Sequence, residues 1–66
     1  MNNNKIEELI KEKGVNKKFL AAKLGISYPS LYKRLNGQTE WKAGEVLTIC
    51  RTLGLTKQER QTIFFT

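Results

Sequence analysis

The residues best equipped for chemistry in this 66-residue chain are cations, and they are unevenly placed. Lys17, Lys18, Lys23, Lys33, Arg34 and Lys42 fall between positions 17 and 42, where the one acid is Glu40. Before them, Lys5, Lys11 and Lys13 are balanced by Glu7, Glu8 and Glu12; after them, Arg51, Lys57 and Arg60 outnumber Glu45 and Glu59 by one. The net charge of +6 is therefore concentrated in the middle of the chain. Such a concentration either meets a polyanion through ion pairs or forms a solvated basic face, and charge alone leaves both readings open.

Other chemistries lack their parts. The six acids are all Glu, His is absent, and Cys50 is the single thiol. No nucleophile with its base and orienting partner, and no clustered zinc or calcium site, can be assembled from this inventory, so neither an enzyme nor a cofactor or metal is expected. Cys50 has no partner for an internal disulfide, and no apolar run is long enough for a signal peptide or a membrane span. A soluble cytoplasmic protein is expected, with residues 1–66 forming one domain and a small core.

The elements that must position these cations are helical. Met1 to Asn3 carry no pattern and read as a frayed end, whereas Asn4 with Glu7 three residues on reads as the cap of a first helix over 5–13. Ile6, Leu9 and Ile10 recur at helical spacing until Gly14. Asn16 opens a second helix with a stripe of Leu20, Ala21 and Leu24, ended by Gly25. Ser27 or Tyr28 opens a third, where Pro29 suits the first turn; Leu31 and Leu35 form its buried face and Asn36-Gly37 stops it. The fourth runs from about Lys42 to Leu53 with Val46, Leu47, Cys50 and Leu53 inward and Trp41 at its entrance. Thr56 with Glu59 is a capping box for a fifth, whose apolar residues, Ile63, Phe64 and Phe65, lie at its end. No strand-like alternation breaks this all-α pattern.

Residues 16–37, NKKFLAAKLGISYPSLYKRLNG, thus make two helices joined by a short turn containing Gly25. Ala21 is small where the helices cross, Gly25 can adopt a positive φ, and Ile26 and Leu31 fill the wedge between them. Such a pair holds its second helix proud of the surface, at a size that fits a DNA major groove.

This stretch, with its closing Asn-Gly, resembles the Cro/C1-type helix-turn-helix family of phage and bacterial regulators, the motif covering about 17–36. LYKRLNG, the following TEW and the ending LGLTKQERQTIFF are similar in particular to short Cro-like proteins from prophages of Gram-positive bacteria. The resemblance implies a five-helix, lambda-repressor-like domain that reads double-stranded operator DNA with its third helix. It places Tyr28, Pro29, Ser30, Tyr32 and Lys33 at bases, and Lys17, Asn36 and Lys42 at phosphates.

Two readings of the residues themselves bear on that mapping. Lys17, Lys18 and Lys42 stand at helix starts, where the helix dipole disfavours a cation by roughly 0.3–1 kcal/mol. A phosphate bound there would turn the penalty into attraction, which adds Lys18 to the phosphate set. On the wheel, Lys33 lies opposite Leu31 and Leu35 and can donate to guanine N7 and O6. Pro29 and Ser30 lie toward the same side, where Pro29 offers a thymine methyl an apolar contact or simply stiffens the helix start. Tyr32 falls on the flank; Tyr28 falls near the leucine side and is either base-reading or core. One departure stands out: relatives usually carry an apolar residue where this chain has Arg34, so Leu35 is expected to take its place and rotate the buried face. Lys42 also replaces a usual capping Ser or Thr.

Two functions fit this reading. One is a sequence-specific repressor, homodimeric at least on DNA; the other is an antirepressor that binds another phage repressor through the same fold. Phe64 and Phe65 are either core or the apolar patch that pairs two copies. A membrane-active peptide fits poorly, because the apolar residues are spread over short, interrupted helices.

Overall fold

Caps and left-handed glycines divide the chain into short helices, and each helix keeps one apolar stripe that must find a partner. The computed structural model describes residues 1–64, among which five helices follow in order: α1 (Asn3–Lys13), α2 (Lys17–Leu24), α3 (Tyr28–Leu35), α4 (Ala43–Leu53) and α5 (Lys57–Phe64). They pack around one core built from Ile6, Leu9 and Ile10 of α1, Leu20 and Ala21 of α2, Leu31 and Leu35 of α3, Ile49 and Leu53 of α4, and Ile63 of α5. Helix α2 packs against both α3 and α4, so the helix bearing Lys33 and Arg34 and the helix that Lys42 opens share a common base.

The turn between α2 and α3 depends on Gly25, whose φ of 71° lies in the left-handed region. A Cβ added there would meet no atom within 4 Å, so glycine is required by backbone conformation and not by space. Ser27 then settles the start of α3: its Oγ accepts from the Ser30 amide at 3.2 Å, leaving Tyr28 and Pro29 as the first helical residues. Asn16 caps α2 by accepting from the amides of Lys18 and Phe19. The capping box of α5 is complete, with Thr56 accepting from the Glu59 amide and Glu59 accepting from that of Thr56.

Three sequence expectations are corrected. The first helix begins at Asn3 and its cap is Asn2, whose Oδ1 accepts from the Lys5 amide at 3.0 Å, not Asn4. Nor are residues 2 and 3 frayed. The Asn2 amide donates to the Ile63 carbonyl at 2.9 Å, and the Asn3 side chain accepts from the Trp41 indole at 2.8 Å. With three successive asparagines able to cap, these tertiary bonds select the one that does. Glu7, freed from capping, pairs with Lys17. Finally, Leu47 is 57% exposed and Ile49 is buried in its stead, because Val46, Ile49 and Leu53 hold the inward face while Leu47 lies about 100° round from Val46.

Phe64, the last described residue of α5, is 44% exposed, which removes it from the core; Phe65 lies outside the described residues.

Candidate nucleic-acid interface

Burial of Leu31 and Leu35 fixes which side of α3 faces out. On that side stand Tyr28, Pro29, Tyr32 and Lys33, all exposed. Tyr28 at 40% exposure belongs to the surface and not to the core, and its ring lies 6.3 Å from that of Tyr32, one turn on. Ser30 is the inward member of the set: it is half-buried and its hydroxyl is 2.9 Å from that of Ser27. A base contact by Ser30 would have to compete with that bond.

Lys17 approaches this face from the start of α2. Its Nζ lies 5.8 Å from the centre of the Tyr32 ring and 3.0 Å from a Glu7 carboxylate oxygen. The helix-start penalty is thus offset inside the protein for Lys17. An ion pair this exposed is worth about 0–1 kcal/mol, so the lysine can exchange Glu7 for a stronger anion at small cost. Lys18 is exposed beside it, and among the described residues no carboxylate pairs with it. Lys42 is exposed as the residue capping α4, and Asn36 is exposed at the end of α3, its amide bonded to the Tyr32 carbonyl at 3.0 Å.

Arg34, which departs from the expected apolar pattern, leaves Leu31 and Leu35 as the buried face of α3, and its own side chain lies mostly buried beside them. Its Nε donates to Glu45 Oε1 at 2.8 Å and its Nη1 to the Ser30 carbonyl at 3.3 Å. The same Glu45 oxygen accepts from the Lys42 amide at 2.9 Å, capping α4 where no Ser or Thr is present. Burial works against the Glu45 carboxylate, but the Lys42 amide and the Arg34 guanidinium outweigh it and hold the carboxyl below the ordinary glutamate range. The Glu59 carboxyl is lowered as well, chiefly by the Thr56 amide against a smaller desolvation effect, with Lys13 adding to the lowering.

These shifts set a pH dependence. A carboxylate whose pKa is depressed by folding contributes stability above its unfolded value, near 4.3, and that contribution is lost as pH falls through the folded value. The thermal midpoint is therefore expected to be level through the neutral range, where no His titrates, and to fall below about pH 4.5. Glu45→Gln should flatten that acid limb; an equally steep limb in the variant would show that Glu45 is not its source.

Sequence reasoning missed Phe19, 52% exposed on α2 with the Lys23 ammonium 5.3 Å from its ring centre. Its position off the Leu20–Leu24 stripe was the available signal. Cys50 is buried, which pushes its thiol up against a smaller opposing effect of Arg60. Among the described residues no three His, Cys, Asp or Glu side chains group as metal ligands would, and no helix is long and apolar enough to cross a membrane. What the face does offer is donors, aromatic rings and positive charge on a projecting helix, the equipment for groove and phosphate contacts.

Searches of curated proteins and of solved structures returned no match. The family model of the Cro/C1-type HTH DNA-binding domain matches residues 5–59, from the first turn of α1 into α5, and with that span this chain belongs to the Cro/C1-type helix-turn-helix DNA-binding family.

Proposed function

We propose that the protein is a sequence-specific regulator of transcription that occupies a double-stranded operator in the bacterial cytoplasm and blocks polymerase there, in the manner of a phage Cro-like repressor. The observation that carries this reading is the outward face of α3, where Tyr28, Pro29, Tyr32 and Lys33 stand exposed on a seam of buried leucines. In this role α3 enters the major groove, with Lys33 at bases and Tyr28, Pro29, Ser30 and Tyr32 along the same edge. Lys17, Lys18, Asn36 and Lys42 take phosphates on either side.

Pairing of two copies on DNA is part of the proposal. Leu47, Leu55 and Phe64 line a groove between α4 and α5 together with Arg51, Lys57 and Arg60. The apolar side chains favour self-association, whereas the cations of two copies repel, so pairing is expected on the polyanion before it is seen in free solution. Two recognition helices about 34 Å apart would then read half-sites one helical turn apart.

Selection from a randomised duplex pool at two salt concentrations tests the reading. A recovered near-palindrome is the expected result. Lys17→Ala should weaken binding to every duplex alike and shallow the log-log salt slope by about 0.9, the share of one phosphate contact. Retention of no duplex at either salt would turn attention to the same fold acting as an antirepressor on another repressor.

A further inference from the structure

The Arg34–Glu45 pair spans two parts of the proposed interface that the sequence separates. Arg34 is on the last turn of α3, next to Lys33; Glu45 is on the first turn of α4, three residues after Lys42. Their side chains are only 12% and 10% exposed, and one atom, Glu45 Oε1, receives both the Arg34 Nε at 2.8 Å and the Lys42 amide at 2.9 Å. Arg34 also returns to its own helix through the Ser30 carbonyl.

Stability is a poor explanation for such a pair, because well-packed apolar residues of similar volume commonly replace a buried ion pair without loss. What apolar contact cannot supply is direction. Leu31 and Leu35 press α3 onto the core but tolerate some roll about the helix axis, whereas a guanidinium bonded to both a carboxylate and a carbonyl fixes distance and angle together. Roll is the variable on which base reading depends, since Tyr32 and Lys33 sit on the flank and crest of α3.

We propose that Arg34 and Glu45 are positioning residues that set sequence discrimination: the pair fixes the roll of α3 and locks it to the Lys42 end of α4, so that base-reading and phosphate-binding groups meet DNA in one register. This rests on the DNA-reading role proposed above. Neither residue contacts DNA in that role. Non-specific binding, which needs charge near phosphates and not a fixed roll, does not depend on the pair.

The test is the double variant Arg34→Leu/Glu45→Gln. It restores an apolar residue on α3, keeps a side-chain oxygen for the Lys42 amide, and leaves the net charge unchanged. The expected result is a thermal midpoint within a few degrees of the native one, unchanged affinity for scrambled duplex, and a fall of about tenfold or more in the preference for the selected operator, the size of one good base contact. In parallel, residual dipolar couplings of α3 amides relative to those of α4, measured without DNA, are expected to report a reoriented α3. An unchanged operator preference, or operator and scrambled affinities falling together, would overturn the inference. If the native protein selects no duplex sequence, the DNA-reading proposal fails by itself. The couplings then decide the positioning role, a shifted α3 supporting it and an unmoved one overturning it. Should the double variant not fold, Arg34→Met/Glu45→Gln carries the same expectations, the thioether chain adapting more readily to the site.

Discussion

Leu31→Ala is expected to cost about 2–5 kcal/mol of stability and to lower the thermal midpoint by at least about 10 °C. Leu31 is 1% exposed and joins the core shared by all five helices, so truncation leaves a cavity that rigid neighbours on α1 and α2 cannot fill. A domain of this length has only roughly 3–10 kcal/mol to lose, which makes the deletion of one side chain a large fraction of the total. Circular dichroism during heating measures it, and Leu47→Ala is the control. Leu47 is apolar and on a helix too but 57% exposed, and its loss is expected to fall within about 0.5 kcal/mol. If the two variants melt together, the placement of the core is wrong. Because Leu31 is also the residue that turns α3 outward, its variant should lose DNA binding in step with folded population, which separates it from substitutions on the outer face.

The features legible in the sequence were those decided locally. Gly14, Gly25 and Gly54 end helices because each takes a left-handed conformation, and Asn16 and the Thr56–Glu59 box open helices through bonds spanning two or three residues. The core stripes of α1, α2 and α3 followed from periodicity because each is narrow, that of α1 being bounded by charge on both sides. Where several residues met the local criterion equally, tertiary contacts decided. Any of three asparagines could cap α1, and the bonds to Ile63 and Trp41 fixed Asn2 as the cap. On α4 the apolar residues come as adjacent pairs, Val46-Leu47 and Ile49-Cys50, which leaves the inward direction ambiguous by one position, and Leu47 fell outside. Bonds between distant positions were beyond reach: Glu7 with Lys17, ten residues apart, and Arg34 with Glu45, eleven apart. Arg34 was visible as an anomaly in an apolar pattern, but its partner was visible only in the fold. The candidate interface was legible in the same measure. Its residues were named from spacing and resemblance, while the engagement of Lys17 by Glu7, the surface position of Tyr28 and the inward turn of Ser30 came from packing.

Lys33→Ala is the substitution with the largest expected effect on DNA reading. The side chain stands on the exposed side of α3, carries a charge, and among the described residues pairs with no carboxylate, so removing it disturbs little within the protein. If Lys33 donates to guanine N7 and O6, its loss costs about 1–3 kcal/mol at that base pair and relaxes preference there while leaving the rest of the operator pattern intact. A lysine that merely touched phosphate would behave otherwise, lowering affinity for all sequences alike and shallowing the salt slope, as expected for Lys17→Ala. Repeating the duplex selection with the variant, and measuring affinities for operators altered one base pair at a time, distinguishes the two. A single position losing its preference assigns Lys33 to a base and gives the orientation of α3 along the groove. An unchanged pattern with uniformly weaker binding would move Lys33 to the backbone set and leave discrimination to Tyr28 and Tyr32, whose ring contact, with that of Lys17 on Tyr32, would then be the next feature to break.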